Sequence, residues 1–354
     1  MTIPTEPIGS IPRPPELMEA VAGFGEGRVS QAELDERYEA ALSDTIERFE
    51  ATGSPVISDG EQTKPSFITY PLAGLEGLAP DGIVIPFEDG HTRQLPRLTA
   101  GPFRYAAYAD GYFRQANGIA KVPVKQAVIA PSAMSLLYPQ DGIDGYTRDA
   151  FVEDVAREAE TDIRRCLDAG AYKVQLDFTE GRLSIKLDPS KQILRSFVDL
   201  IGNVLGRFTP EEREKIGVHT CPGGDQDSAH SLDVDYSELL PSLFELPAGS
   251  FYIQLASEPD PDRVLEIIRE HAPEGARVFV GVIDPIDPRV ESADEVRERV
   301  LRAAEHLGTD RLGTCDDCGF SPFGDDTSTS RDIAFAKIAS RVEGTAAAAD
   351  QLGA

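Results

Sequence analysis

Short apolar segments alternate with amphipathic helical segments along nearly the whole chain, and this alternation restricts the possible folds more than any other feature. Counting the apolar segments near residues 8, 57, 126, 174, 218, 253, 280 and 312 gives about eight βα units. That is the number a closed (β/α)8 TIM barrel requires, so we predict this α/β fold. A doubly wound open sheet is the alternative. It usually has a glycine-rich first turn, which this sequence lacks.

Helix signals between the apolar segments support the same fold. Ser30 is a predicted N-cap, and Glu33 three residues later completes a capping box. Apolar residues recur at helical spacing in 149–169 and place Cys166 on the packed face. The predicted helices are 30–51, 149–169, 193–205, 236–246, 262–271, 293–307 and 329–343.

The segment from about residue 62 to 120 departs from the alternation. It is irregular and rich in proline, glycine and aromatic residues, and the pattern of 101–108 predicts a hairpin. We therefore expect one barrel domain over 1–354, with 62–120 inserted after the second strand and covering the C-terminal face of the barrel.

Charge and cysteine content exclude several classes of function. The formal net charge of −27 would repel nucleic acid. No apolar run approaches membrane-spanning length and no signal peptide opens the sequence, so we expect a cytoplasmic protein without a membrane contact. The 4 cysteines in 354 residues predict free thiols or metal ligands and not a disulfide framework.

Polar residues gather at the predicted C-terminal ends of the strands, where barrel enzymes place their chemistry. These residues are Ser10, Glu61, Asp177, His219, Cys221, Gln254, Asp284 and Cys318. His219 and Cys221 project from the same face of one strand. With a further cysteine arriving on another loop, an imidazole and thiolates can build a zinc site. Taken alone, these residues also fit a hydrogen-bonded core histidine and ordinary buried cysteines.

Five short motifs resemble a known family in their order along the chain. They are Ile8-Gly9-Ser10, Asp59-Gly60-Glu61, Val174-Gln175-Leu176-Asp177, His219-Thr220-Cys221 and Asp317-Cys318-Gly319. In this order they resemble the catalytic half of cobalamin-independent methionine synthase. The resemblance covers nearly the whole chain, and the His-x-Cys motif with the distant Cys-Gly is its most specific part. The chain is similar to a short, single-barrel member, since longer enzymes of the family carry an additional N-terminal barrel.

The resemblance implies a zinc ion held by His219, Cys221 and Cys318, with the acceptor thiol as a further ligand. It also implies that the acceptor is homocysteine, which becomes methionine. Its amino-acid end would be held by Ile8, Ser10, Glu61 and Asp177. Asp177 would also act in catalysis, together with Asp284.

The sequence departs from the family at three places. The fourth zinc ligand, a glutamate in the family, reads as Gln254 here, with Glu258 or the substrate thiol as alternatives. A histidine that assists proton transfer in the family falls near Ile286 here. Asp284 or Asp287 could replace it, or the reaction does not need that proton. The chain has no tryptophan, so an aromatic surface for a pterin would come from Leu137-Tyr138 or Tyr112-Phe113. Cys315 forms a single Cys-x-x-Cys pair with Cys318. It could replace the missing glutamate or lie outside the site, and we favour the second interpretation.

The resulting hypothesis is a zinc-dependent methyltransferase acting on a small-molecule thiol. The methyl donor, a folate or a corrinoid protein, would meet the loops 62–118 and 131–145. One alternative is a zinc enzyme that opens an epoxide with coenzyme M, for which Arg13, Arg104 and Arg114 could bind the sulfonate. Another is a barrel of the uroporphyrinogen decarboxylase type, or a metal-binding protein without catalysis.

Overall fold

Six parallel strands form the central sheet of the protein, whose computed structural model describes residues 2–354. In sheet order the strands are Leu312–Asp316, Arg277–Ile283, Ser250–Ile253, Ile216–Thr220, Val174–Asp177 and Gln126–Ile129. Nearly every residue of these strands is buried, because helices cover the outer face and side chains fill the inner one. Six of the predicted apolar segments are therefore strands of one sheet.

The two other predicted segments close this sheet toward a barrel. They join its edges through parallel bridges, Thr5 to Thr314 and Ile57 to Val124. The backbone N–H of Ile11 then donates to the carbonyl of Gly60 at 3.0 Å, which links the two segments to each other. These hydrogen bonds place the two segments beside the sheet edges and beside each other. The fold is TIM-barrel-like, with the C-terminal ends of all eight segments at the same rim.

Helices on the outside follow most of the predicted positions. Ser30 caps the second helix, and its capping box with Glu33 is confirmed. The predicted helix 236–246 is instead a 3₁₀ turn and one short α-helical turn, with Pro241 at the start of the latter. The helices are Pro15–Gly25, Gln31–Ala51, Ala109–Asn117, Pro131–Ser135, Arg148–Asp168, Gly181–Leu187, Gln192–Leu205, Pro210–Arg213, Leu240–Leu243, Pro261–His271, Ala293–Leu307 and Arg331–Leu352, with 3₁₀ turns at Tyr70–Leu72 and Tyr236–Glu238.

None of the helices in 2–354 combines the length and the apolar character needed to cross a membrane.

The segment 62–120 contains two short antiparallel strand pairs. Leu78–Ala79 pairs with Arg97–Leu98, and Val84–Pro86 pairs with Thr92–Gln94. The hairpin predicted at 101–108 is wrong, because that described stretch contains no strand. Its alternating aromatic residues instead pack on the helix Arg148–Asp168. There the ring of Phe103 lies 5.4 Å from that of Phe151, and the backbone N–H of Tyr105 donates to Glu158.

One arginine fastens this segment to the rim of the barrel. The guanidinium of Arg93 pairs with Asp225, at 3.1 Å from Nη2 to Oδ1, and with Asp325, at 2.9 Å for each of two hydrogen bonds. It also lies 4.3 Å from the ring centre of Phe323. Asp225 follows the strand Ile216–Thr220 and Asp325 follows Leu312–Asp316. Arg93 therefore joins the inserted hairpin to two loops at the C-terminal rim.

Replacing Arg93 by alanine leaves the buried carboxylate of Asp225 with fewer donors. We expect Arg93→Ala to lower the free energy of unfolding by about 2 kcal/mol. Hydrogen–deuterium exchange should become faster in 221–229 and 320–328. The matched control is Arg97→Ala in the neighbouring strand pair of the same segment, which removes a pair with the exposed Asp81 and should cost less than about 0.5 kcal/mol. Equal exchange in the two variants would contradict the assigned role of Arg93.

Candidate functional site

A histidine and two cysteines from distant parts of the chain meet at the barrel rim. His219 lies in the strand Ile216–Thr220, Cys221 follows that strand, and Cys318 lies in the loop after Leu312–Asp316. Their potential ligand atoms all lie within 4.8 Å of one another, and the two Sγ atoms are 3.2 Å apart. The structure thus brings together the three residues that the sequence predicted as metal ligands.

The state of these side chains fits a metal ion. His219 is only 1% exposed, yet neither ring nitrogen has a hydrogen-bond partner among residues 2–354. A buried imidazole without partners is costly unless something else binds it. The pKa of the Cys318 thiol is lowered well below its usual range, first by the hydrogen bond from Cys221 and then by His219. One imidazole and two thiolates are typical zinc ligands, with a fourth position left over.

Two glycines allow the loops to approach one another this closely. A Cβ at Gly319 would lie 2.1 Å from the hydroxyl oxygen of Ser10, so the Cys318 loop could not rest on Ser10 with any other residue there. Gly223 has a φ of +73°, and a Cβ there would lie 1.8 Å from the ring of His230. Both positions need glycine for a steric reason.

The residues predicted to bind the acceptor surround one cavity beside these ligands. The cavity has a volume of about 380 Å³. Its lining includes Ile8, Ser10, Glu61, Asp177, His219 and Cys318. The structure therefore places the predicted binding residues and two of the predicted metal ligands around one space.

Each of the two carboxylates of this cavity is hydrogen-bonded within the protein through one of its oxygens. Lys64 Nζ donates to Oε1 of Glu61 at 3.0 Å, and Gln175 Nε2 donates to Oδ1 of Asp177 at 2.7 Å. Burial raises the pKa of Asp177 to about 7, and nearby His219 opposes this shift. Burial also raises the pKa of Glu61, against the effect of Lys64. An ammonium group entering the cavity would favour the charged form of both carboxylates.

Ile8 and Ser10 contribute polar atoms that the protein already uses in part. The carbonyl of Ile8 accepts a hydrogen bond from Gln175 at 3.0 Å. The hydroxyl oxygen of Ser10 accepts one from the backbone N–H of Ser321 at 3.1 Å. The hydroxyl proton of Ser10 can still be donated to a ligand.

Gln254 and Glu258, the two protein candidates for a fourth ligand, differ in their surroundings. Glu258 accepts from Arg182 at 2.6 Å and lies outside the ligand group. Gln254 donates through Nε2 to Ser257 at 2.6 Å, while its buried Oε1 has no partner in the described part of the chain. Gln254 and Cys318 line the same second cavity, of about 420 Å³.

Asp317 is a residue that the sequence analysis did not assign to the site. Oδ1 accepts from the backbone N–H groups of Leu255 and Ala256 at 2.8 and 2.9 Å. Oδ2 accepts from the N–H and the hydroxyl of Ser257 at 2.8 and 2.7 Å. Asp317, the residue before Cys318, thereby holds the loop after Gln254 against the loop that carries Cys318. The only signal in the sequence is an additional carboxylate next to that cysteine.

Asp284 is a partly buried residue of the second cavity. It lines that cavity together with Gln254, Ile286 and Cys318. Its Oδ1 accepts from the N–H of Ile286 at 2.9 Å, and burial raises its pKa. Asp287 instead pairs with Arg289 in a more exposed turn.

Cys315 occupies the interior of the barrel below the rim. It packs with Ile8, Tyr252 and Phe279, and its thiol donates to the carbonyl of Phe279 at 3.6 Å. It is not part of the ligand group. This placement agrees with its interpretation as a residue outside the site.

The predicted aromatic surfaces differ in position. Tyr138 and Leu137 line a wide groove that also includes Arg148 and Glu180. Tyr112 instead packs edge-on against Tyr70, with the ring centres 5.9 Å apart.

The arginines considered for a sulfonate are bound to other groups. Arg13 donates to backbone carbonyls, including those of Ser321 at 2.6 Å and Glu61 at 2.7 Å. Arg104 pairs with Asp154, and Arg114 pairs with Asp110. This arrangement gives no support to a sulfonate site at these three residues.

Asp317→Asn tests how the rim loop is held. An amide keeps one acceptor for two N–H groups but presents its own N–H₂ to the donors of Ser257, so we expect a loss of about 2 kcal/mol in the free energy of unfolding. Urea denaturation measures this change. The exposed Asp144→Asn should change stability by less than about 0.5 kcal/mol. Asp317→Asn with the stability of wild type would show that these hydrogen bonds do not hold the loop.

Comparisons with known proteins agree with one another. A methionine synthase of Saccharolobus islandicus (strain Y.G.57.14 / Yellowstone #1) is 23% identical over 350 residues, covering 99% of this chain and 96% of that protein. A 5-methyltetrahydropteroyltriglutamate–homocysteine methyltransferase of Nitratidesulfovibrio vulgaris is 24% identical over 325 residues, covering 90% of this chain and 39% of that longer protein.

Solved structures show the same fold. A B12-independent methionine synthase from Shewanella sp. W3-18-1, in complex with selenomethionine, superposes with a TM-score of 0.78 at 20% identity and 99% coverage of both chains. Residues 3–337 match the family model described as the catalytic domain of cobalamin-independent synthase. That match spans most of the chain, and this protein therefore belongs to the cobalamin-independent methionine synthase family, in its catalytic domain.

Proposed function

We propose that this protein is a zinc-dependent methyltransferase that converts homocysteine to methionine. The observation that carries the proposal is that His219 and Cys318, which form one ligand group with Cys221, line the same cavity as two carboxylates, Glu61 and Asp177. Such a cavity can hold the ammonium end of an amino-acid thiol while its sulfur points to the metal ligands. Family membership supports the same reaction.

The reaction moves a methyl group from a donor to sulfur. A zinc ion at this site would lower the pKa of the acceptor thiol, so that the thiol loses its proton and becomes nucleophilic near neutral pH. The new S–CH₃ bond forms as the bond between the methyl group and the donor breaks, and the electron pair of that bond stays with the donor.

The residues of the chain position the acceptor and assist the donor. Glu61 and Asp177 hold the ammonium group through their remaining oxygens, and the hydroxyl of Ser10 donates to the acceptor carboxylate. Asp284, whose pKa burial raises, supplies a proton to the departing donor from across the second cavity. Orientation of both substrates in this way lowers the barrier by removing the entropy cost of their encounter.

The donor would approach from the loops 62–118 and 131–145, which the groove at Tyr138 adjoins. A folate or a methylated corrinoid protein both fit this proposal. The net charge of −27 disfavours a long polyglutamate tail. Methionine formation should be measured with monoglutamyl and triglutamyl methyltetrahydrofolate and with methylcobalamin. If none of these yields methionine while coenzyme M and epoxypropane yield a thioether, the epoxide-opening alternative replaces this proposal.

Removing one predicted ligand should remove the metal. Wild-type protein should contain about one zinc per chain, and Cys318→Ser should retain less than about a fifth of it, because a hydroxyl is a poor zinc ligand. Elemental analysis after dialysis against a weak chelator provides the measurement. The control is Cys315→Ala, which removes a sulfur from the barrel interior and should keep the zinc. Full zinc content in Cys318→Ser would refute the proposed ligand set.

Gln254→Glu restores the carboxylate that the resemblance implies at this position. Because the carboxylate binds zinc better than an amide, we expect zinc to leave the variant about tenfold more slowly in competition with a chelator. Glu258→Gln is the control, since Glu258 pairs with Arg182 and should leave zinc release unchanged. If slow release of zinc instead required Glu258, so that Glu258→Gln released zinc faster, Glu258 would be identified as the ligand.

A further inference from the structure

Lys64 is a buried lysine behind the wall of the acceptor cavity. Its side chain is 1% exposed. Nζ donates to Oε1 of Glu61 and to the carbonyl of Ala127, at 3.0 Å each. It also lies 4.7 Å from the ring centre of Tyr70 and 5.8 Å from that of Tyr112. Nothing in the sequence motifs distinguished this lysine, and it is the cation nearest to the predicted ammonium-binding carboxylate.

The contacts of Glu61 leave it a single free oxygen. Its backbone N–H donates to Asp59 at 3.0 Å, and its carbonyl accepts from Arg13 at 2.7 Å. Its φ of +56° is uncommon for a residue with a side chain, so the backbone is held there by these bonds. Lys64 then occupies Oε1. Within residues 2–354 no hydrogen bond to Oε2 is made, and Glu61 lines the cavity, so this oxygen is available to a ligand.

The second carboxylate of the cavity is bound in a similar way by a neutral partner. Oδ1 of Asp177 accepts a hydrogen bond from Nε2 of Gln175, and Oε1 of Gln175 accepts one from Lys125 at 2.8 Å. Each carboxylate thus has one oxygen tied inside the protein and the other left for the cavity. Only Glu61 is tied directly by a full positive charge. That charge favours the ionised form of the carboxylate and opposes the effect of burial before any ligand arrives.

We propose that Lys64 is a positioning residue that makes the acceptor cavity selective for thiols carrying an ammonium group, by holding Glu61 ionised and with Oε2 directed at the ligand. The inference rests on the proposed function for the identity of the acceptor. It extends that function to a substrate class, α-amino-acid thiols in preference to their des-amino analogues, and to the residue that sets this preference.

A purely structural role is the competing explanation. Buried ion pairs can serve stability alone, and removing one partner is strongly destabilising in many proteins. Such a role predicts that loss of Lys64 affects every ligand of the cavity equally. The proposed role predicts a loss confined to ligands with an ammonium group, and a loss that depends on Glu61.

The experiment measures binding, so it does not depend on metal content or turnover. Isothermal titration calorimetry would compare L-methionine with 4-(methylthio)butanoate, which lacks the amino group, on the purified chain. The variants are Lys64→Met, Glu61→Gln and the double variant. The matched control is Lys173→Met, which removes another lysine paired with a buried glutamate, Glu6, at 3.1 Å near the N-terminal ends of the strands.

Wild-type protein should bind L-methionine about 30-fold or more tightly than the des-amino analogue, as expected for a charge-assisted contact. Lys64→Met and Glu61→Gln should each lose most of this preference, through weaker binding of L-methionine. The double variant should be no worse than either single variant, because both act through one carboxylate. Lys173→Met should keep the wild-type preference.

Three results would overturn the inference: equal affinity of wild type for the two ligands, equal weakening of both ligands in Lys64→Met, or additive losses in the double variant. If Lys64→Met does not fold, the double variant, which leaves no unpaired charge, and Glu61→Gln still decide the question. The proposed function fails separately. Selective, Lys64-dependent binding without methyl transfer refutes the function alone, and methyl transfer without that selectivity refutes only the inference.

Discussion

A buried imidazole without hydrogen-bond partners, placed beside two sulfur atoms, is the constraint on which the rest of this structure depends. His219 in that state is unfavourable for a folded protein unless a ligand joins the three side chains. Bringing them within 4.8 Å requires two loops that are 97 residues apart in sequence to share one rim. The TIM-barrel-like arrangement of the strands provides that rim, and Gly319 allows the second loop to rest directly on Ser10.

Interior cations then hold the loops around this point in a chain with a net charge of −27. Arg13 binds the carbonyls of Glu61, Lys64 and Ser321, and so ties the first, second and eighth segments of the barrel together. Arg93 joins the inserted hairpin to the loops of Asp225 and Asp325. These cations bind neighbouring loops and do not form a surface that could bind polyanions. The acidic surface and the organised interior are therefore compatible.

The departure at Gln254 changes the expected metal chemistry and leaves the protein framework intact. With an amide in place of a carboxylate, a zinc ion held by His219, Cys221 and Cys318 would have one negative charge less around it and would accept a thiolate more strongly. Asp317 organises the loop after Gln254 through four hydrogen bonds. The geometry that would present a fourth ligand is thus kept, although the ligand itself differs from that implied by the resemblance.

The sequence by itself determined the order of strands and helices, because hydrophobic periodicity and capping residues such as Ser30 act over a few neighbouring residues. The spacing of His219 and Cys221 is also a local feature of the sequence. Because the strands of a barrel end at a shared rim, it led to the prediction that Cys318 lies beside these two residues. Tertiary structure alone decided what lies behind these groups. Lys64 and Asp317 meet partners from distant parts of the chain, such as Ala127 and Leu255, only in the folded protein. The aromatic residues of 101–108 pack on the helix Arg148–Asp168 and do not form the predicted hairpin. Such contacts join residues far apart in the chain, and no local pattern encodes them.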